Sequence, residues 1–553
     1  MLSSLYSGGG KNSQTKVVIS LSLLLIMILS LMSVTISMDH LQAICSSTPY
    51  PDLCYNRLAP AILVPPPIRD SNDFYGQLQE VYKLSIEVAV NELLTASNEL
   101  LKLELRLEKV SSQRKSITAL KLCRELLSVN ALTNLRHSLA VPVPSPSKDN
   151  QSTTPETFED LKTFLTAAGT YHRTCIDAVD DVSNGDTALR NVVLRVITNS
   201  SELTSNSLAI LHDFEVYAEL TNGMMMSRSN DEAPLVYQSS YDQLTYDAVV
   251  AKDGSGNFTT IGDALNAAPS NSEKRFVIYV KEGVYNEIVK VDIDKVNVMM
   301  VGDGMGATIV TGNLNAGNGT PTYYSATFTV SGAGFVARDM GFENTAGAAM
   351  EQAVALMANA DKGIFLRCRI AGYQDTLLAQ AYRQLFYDCH VYGTVDFIFG
   401  YSAAVFHNCR ILARKPLTGQ QNVITAQGKY EPMAKSGFSF INCSVAPADG
   451  EDLTGVSTFL GRPWKDYSTA VFSYTLMESL IDPKGWVAYS GDTAPDTIFY
   501  GEHVNTGAGA KITQRVPWKG LHARLGTSHA NKFSVNTFIQ GCDWVVGLGI
   551  PCT

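Results

Sequence analysis

Four segments of this chain repeat one pattern, and the repeat constrains the fold more than any residue propensity. They are Phe365-Leu-Arg-Cys368-Arg-Ile370, Phe386-Tyr-Asp-Cys389-His-Val391, Phe406-His-Asn-Cys409-Arg-Ile411 and Phe440-Ile-Asn-Cys443-Ser-Val445. The cysteines step by 389 − 368 = 21, 409 − 389 = 20 and 443 − 409 = 34 residues. A step near 21 suits one coil of a parallel β-helix with three short strands and three turns, and the longer step is a coil with an inserted loop. Phe, Cys and Ile/Val at i, i+3 and i+5 cannot share one face of a straight strand, because strand side chains alternate. A bend or bulge inside each segment is therefore expected.

Coils of such a solenoid stack at the strand spacing, roughly 4.8 Å, so residues one repeat apart become neighbours. Gln352 and Gln374 differ by 374 − 352 = 22, and Asp375 and Asp396 by 396 − 375 = 21. Gln352, the Gln374-Asp375 pair and Asp396 are thus expected on three adjacent coils of one face. Two neighbouring carboxyls repel, so one keeps its proton where the other is ionised. The ionised one can attack an ester carbonyl, and the protonated one can protonate the leaving alkoxide. Glutamine amides can donate to the oxyanion that develops. The competing reading makes the aspartates turn caps and the glutamines a side-chain ladder.

The rest of the chain frames this region. At 553 residues the chain is too long for one core, and its 45% hydrophobic and 17% charged content is globular. A net charge of −10 argues against a nucleic-acid binder, and an acidic polymer would have to be met by local positive charge or in its neutral, esterified stretches. Lys11 and Lys16 precede an uncharged apolar run over 17–38. This directs the chain to the secretory path, as a cleaved signal or an uncleaved anchor, and membrane contact is expected through 17–38 alone. Ten cysteines, with no C-x-x-C, no H-E-x-x-H and no His-rich tract, then point to disulfides and not to a metal or cofactor. Sequons at Asn150, Asn199, Asn257, Asn318 and Asn442 fit that compartment.

Residues 39–225 read as helical, with Leu93, Ala96, Leu100, Leu103, Leu107 and Val110 at three- and four-residue spacing. Cys45 and Cys54 would close a small loop, and Cys123 and Cys175 would tie two helices. Residues 226–244 are a polar linker, and 245–553 carry the β texture.

The β region resembles the plant pectin methylesterases. The motifs are Gly283-Val-Tyr285-Asn-Glu287, Gln352-Ala-Val-Ala-Leu356, Tyr373-Gln-Asp-Thr-Leu377, Asp396-Phe-Ile-Phe-Gly400 and Leu460-Gly-Arg-Pro-Trp464. The resemblance implies a right-handed parallel β-helix and hydrolysis of galacturonate methyl esters in pectin, without cofactor or metal. It implies Asp396 as nucleophile, Asp375 as proton donor and later base, Gln352 and Gln374 as oxyanion donors, and Arg462 as the partner that orients the nucleophile. Thr322 and Trp464 match substrate contacts, and Cys389–Cys409 a disulfide. The helical half resembles the pectin methylesterase inhibitors, four-helix bundles, with Cys45–Cys54 and Cys123–Cys175 as pairs. That implies autoinhibition or retention during secretion to the cell wall, and inhibitor proteins as partners. The alternatives are another β-helix polysaccharide enzyme, a lyase or glycosidase, or a silent inhibitor-type protein. The chain departs from the family pattern at Leu378 (usually Tyr), Tyr401 (usually Asn) and Tyr489 (usually Trp). It also carries only Arg228 as a basic residue in 226–246, where a dibasic processing site is common.

Overall fold

The computed structural model describes residues 38–62, 74–109, 114–143, 155–183, 187–221, 244–545 and 548–550. The expected leader, apart from Met38, and the expected linker, apart from Leu244, lie outside these residues. The chain divides into two compact units. One is Met1–Leu103, Arg124–His172 and Asn191–Asn230; the other is Glu104–Cys123, Arg173–Arg190 and Asp231–Thr553.

The first unit is all-helical among the described residues, with Phe74–Leu107, Pro155–Ser183 and Thr187–Thr221 as its long helices, each of which extends past its limits. The expected apolar stripe packs inward: Leu93, Ala96 and Leu100 are buried, and Leu103 and Leu107 are half-buried. Val110 lies outside the described residues. Val81, Ile86, Leu161, Leu165, Ile210 and Phe214 share this apolar interior. Cys45 and Cys54 form a disulfide between the helices Met38–Ser46 and Pro51–Ile62. In the second unit Cys123 pairs with Cys175.

The second unit is a parallel β-helix. Its strands form three sheets, of eleven, seven and eight strands among the described residues, in which every strand pair runs parallel. The register repeats the sequence step. Phe365 pairs with Phe386, Phe386 with Phe406, and Phe406 with Phe440. These rings stack nearly parallel at 4.8, 4.6 and 4.7 Å between centroids, and Phe472 extends the column at 4.3 Å. Each stacked pair adds about 0.5–1.5 kcal/mol to its apolar burial.

The bend expected within each repeat is a single left-handed residue. Arg367, Asp388, Asn408 and Asn442, each directly before the repeat cysteine, have φ of 50°, 52°, 61° and 52°. Asn and Asp adopt this conformation more readily than other side chains. The turn passes the chain from one sheet to the next and brings Phe, Cys and Ile/Val into the same core.

One expectation from the resemblance fails here. Cys389 and Cys409 are not a disulfide; both are buried free thiols, as are Cys368 and Cys443. The left-handed residue turns each Sγ toward the main chain of the coil before. Cys389 reaches Phe365 O at 3.1 Å, Cys409 reaches Phe386 O at 3.3 Å, and Cys443 reaches Phe406 O at 3.3 Å. The four thiols form a column of weak donors in the solenoid core.

Candidate active site

The seven-stranded sheet carries the site. Leu356, Leu377 and Ile398 pair across three coils, as do Met357, Leu378 and Phe399. Alternation sends Leu356, Leu377 and Ile398 into the solenoid core. It sends Met357, Leu378 and Phe399 to the opposite face, where they join Ala326, Val354 and Ala426 in an apolar patch that Tyr323 and Trp464 cover. This patch is the floor of a groove.

Asp375 lies two residues before Leu377, and Asp396 two before Ile398, so the pairing stacks them one coil apart at the rim of that floor. Both are left-handed, with φ of 58° and 49°, and both are buried. Left-handed backbone at a non-glycine residue stores strain that surrounding structure must hold. Here the ladder does so: Asp375 N–H donates to Val395 O at 3.0 Å and Leu377 N–H to Phe397 O at 2.9 Å.

Gln352 is not in strict register. The pairing Leu356↔Leu377 puts Ala353, not Gln352, opposite Gln374, and Ala353 N–H donates to Gln374 O at 3.2 Å. The short helical turn Ala348–Met350 and left-handed Glu351 (φ 61°) bring the chain in just before Gln352. Both glutamines nonetheless line the same cavity as the two aspartates, about 370 Å³ in volume, and Thr322, Arg462 and Trp464 line it too. All seven site residues expected from sequence therefore meet at one place.

Arg462 follows the strand Thr458–Gly461, two coils beyond Asp396, and its N–H donates to Thr425 O at 2.9 Å. Its guanidinium reaches back to grip Asp396 with both forks, Nε to Oδ1 at 2.8 Å and a terminal nitrogen to Oδ2 at 2.5 Å. Such a bidentate pair fixes both position and charge. The guanidinium carbon lies 4.7 Å from the centroid of the Tyr489 ring, which packs against it.

The two carboxyls differ in consequence. Burial against the apolar floor raises both. Arg462 offsets part of that rise at Asp396. Asp375 has no such partner, and the neighbouring Asp396 charge raises it further, well above the usual carboxylate range. The arrangement can hold one ionised and one protonated carboxyl side by side.

Sequence spacing did not single out Lys465, nor the acidic residues Asp177, Asp180 and Asp181. All four line the cavity. The three aspartates come from the segment Arg173–Arg190, which belongs to the same compact unit. Their signal in the sequence is only an acidic run on a helix, indistinguishable from a solvated face.

Comparison with known proteins identifies the family. The family model described as Pectinesterase matches residues 247–542, and that of the plant invertase/pectin methylesterase inhibitor matches 39–210. The chain is similar to a putative pectinesterase/pectinesterase inhibitor 24 of Arabidopsis thaliana, 42% identical over 519 residues, covering 92% of this chain and 87% of that one. It is 39% identical to pectinesterase 3 of Phaseolus vulgaris over 521 residues, 91% of this chain and 85% of that one. Among solved structures, the pectin methylesterase from carrot superposes with a TM-score of 0.55 at 43% identity, over 56% of this chain and 98% of its own. The chain belongs to the pectinesterase family, as a pectin methylesterase that carries an inhibitor-family domain ahead of its catalytic β-helix.

Proposed function

We propose that Asp396 is the nucleophile and Asp375 the acid and base in hydrolysis of the C6 methyl esters of methylesterified homogalacturonan. The observation that carries this is the asymmetry of two stacked carboxyls, one gripped by Arg462 and one left without a cation. An Asp396 oxygen attacks the ester carbonyl carbon. The carbonyl π pair moves to oxygen, and the side-chain amides of Gln352 and Gln374 hold that oxyanion. The intermediate collapses, the methoxy group takes the Asp375 proton, and methanol leaves. Asp375, now a carboxylate, takes a proton from water as the water attacks the acyl-enzyme. Asp396 and protonated Asp375 are regenerated beside a free galacturonate. Trp464 and Thr322 contact the sugar, and the apolar floor of Leu378 and Phe399 faces the ester methyl.

The helical half acts as an inhibitory or retaining domain, a reading supported by its family match and by Asp177, Asp180 and Asp181 lining the catalytic cavity. Separate inhibitor proteins would compete for the same groove. Residues 1–38 carry the chain to the cell wall, as a signal or as an anchor until processing.

Product analysis tests the reaction class. Incubation with methylesterified pectin should release methanol with no shortening of the polymer and no unsaturated ends. Chain shortening or unsaturated products without methanol would replace the esterase with a glycosidase or lyase.

A further inference from the structure

Tyr401 and Lys465 line the groove but have no part in the ester chemistry. Tyr401 is 1% exposed, and its ring lies 4.9 Å from that of Trp464. Lys465 Nζ sits 4.6 Å from the Trp464 ring centroid. Gly428 makes room for the two rings: a Cβ there would lie 2.7 Å from the Tyr401 ring and 3.0 Å from the Trp464 ring. A buried hydroxyl and an ammonium are thereby presented together beside the aromatic platform that contacts sugar.

Both converge on one carboxylate. Lys465 Nζ donates to Asp177 Oδ1 at 2.6 Å, and the Tyr401 hydroxyl donates to Asp177 Oδ2. A charged donor on one oxygen and a neutral donor on the other make a clamp for a free carboxylate. A methyl ester fits it poorly, having no charge and one oxygen blocked by the methyl group.

We infer that Tyr401 and Lys465 form a subsite for the C6 carboxylate of a galacturonate unit that has already lost its ester, and that Asp177 stands in for that group. The inference rests on the pectin methylesterase reading and deepens it. An enzyme with such a clamp works best on an ester that has a freed unit nearby on the same chain.

The test uses a fragment of residues 242–553, from which Asp177 is absent. The carrot structure, 98% of which is matched by 56% of this chain, shows that a relative of this part stands as a fold of its own. Methanol release is measured on partly de-esterified and on fully esterified galacturonate oligomers of equal length. The readout is the ratio of the two kcat/KM values. Wild type should favour the partly de-esterified oligomer. Lys465→Gln should lower the ratio about tenfold, and Tyr401→Phe, which keeps the ring, about threefold, as expected for a charge-assisted and a neutral hydrogen bond. Added salt should lower the wild-type ratio and leave that of Lys465→Gln unmoved. Methanol release with a ratio that neither substitution moves would overturn the subsite alone. No methanol from the wild-type fragment on either oligomer would overturn the esterase reading beneath it.

Discussion

Two aspartate–arginine pairs of the β-helix, Asp361–Arg383 and Asp396–Arg462, share one bidentate geometry, and their contrast explains how one solenoid makes both structure and chemistry. Asp361 is held by Arg383 through Nε at 3.0 Å and a terminal nitrogen at 2.7 Å, while Arg383 also donates to Gln540 at 3.3 Å. The two side chains are only 9% and 3% exposed, and the guanidinium holds the Asp361 carboxyl below its usual range. Asp396 and Arg462 have the same bidentate geometry but are 10% and 22% exposed and open on a cavity. A second carboxyl, Asp375, stacks beside them on the neighbouring coil. The closed pair spends its charge on hydrogen bonds that close the fold. The open pair lines a cavity that a substrate carbonyl can enter.

The largest separation of the two pairs should appear at Asp375. Asp375→Asn keeps the shape but removes the proton donor, so methanol release should fall about 10³–10⁴-fold, while the melting temperature does not drop. Next in size, Arg383→Met leaves Asp361 buried without its cation and should cost about 3–5 kcal/mol in denaturant unfolding. Arg462→Met should do the reverse, losing about 10²–10³-fold in kcat/KM as Asp396 loses its orientation, with a much smaller change in stability. Equal stability losses in the two arginine variants would erase the contrast.

The pairs should also respond to pH with opposite sign. The folded Asp361 carboxyl is depressed, so its contribution is present above the ordinary aspartate range and is lost as pH falls through its folded value. The folded Asp375 carboxyl is raised, so its contribution is fully present below the ordinary range and is lost as pH rises through its folded value. Asp375→Asn, permanently neutral, should therefore be more stable than wild type at neutral pH in denaturant unfolding. The proposed reaction needs Asp396 ionised and Asp375 protonated. The rate should fall at both ends of the pH scale, and the alkaline limb should vanish in Asp375→Asn.

The smallest expected effect concerns the thiol column. Cys389→Ala removes one buried sulfur and should cost about 1 kcal/mol in denaturant unfolding. A loss of about 2–5 kcal/mol in Cys389→Ala, matched in Cys409→Ala, would instead indicate a disulfide between the two.

What the sequence revealed follows from what repeats. A 21-residue step is one coil, so the Phe column and the stacking of Asp375 on Asp396 were readable from spacing alone. Gln352 came out one residue from strict register, because a loop and a left-handed Glu351 precede it and spacing cannot count a loop's extra residue. The repeat also located the cysteines but not the direction of their sulfurs, which a single left-handed residue turns up the stack. Arg462 belongs to a coil two steps away, so its grip on Asp396 was suggested by family resemblance and not by the period. Tyr401, Lys465 and the aspartates of 177–181 meet through tertiary packing that no local pattern encodes.

The central claim is that Asp396, held by Arg462 beside a protonated Asp375, forms the bond to the ester carbon. Methanol release from methylesterified pectin by wild type and by Asp396→Asn tests it most directly. That substitution is nearly isosteric and removes only the anionic oxygen. The account predicts at least about a 10⁴-fold loss of rate in a variant that melts within a few degrees of wild type. A folded Asp396→Asn protein that releases methanol at the wild-type rate would contradict it.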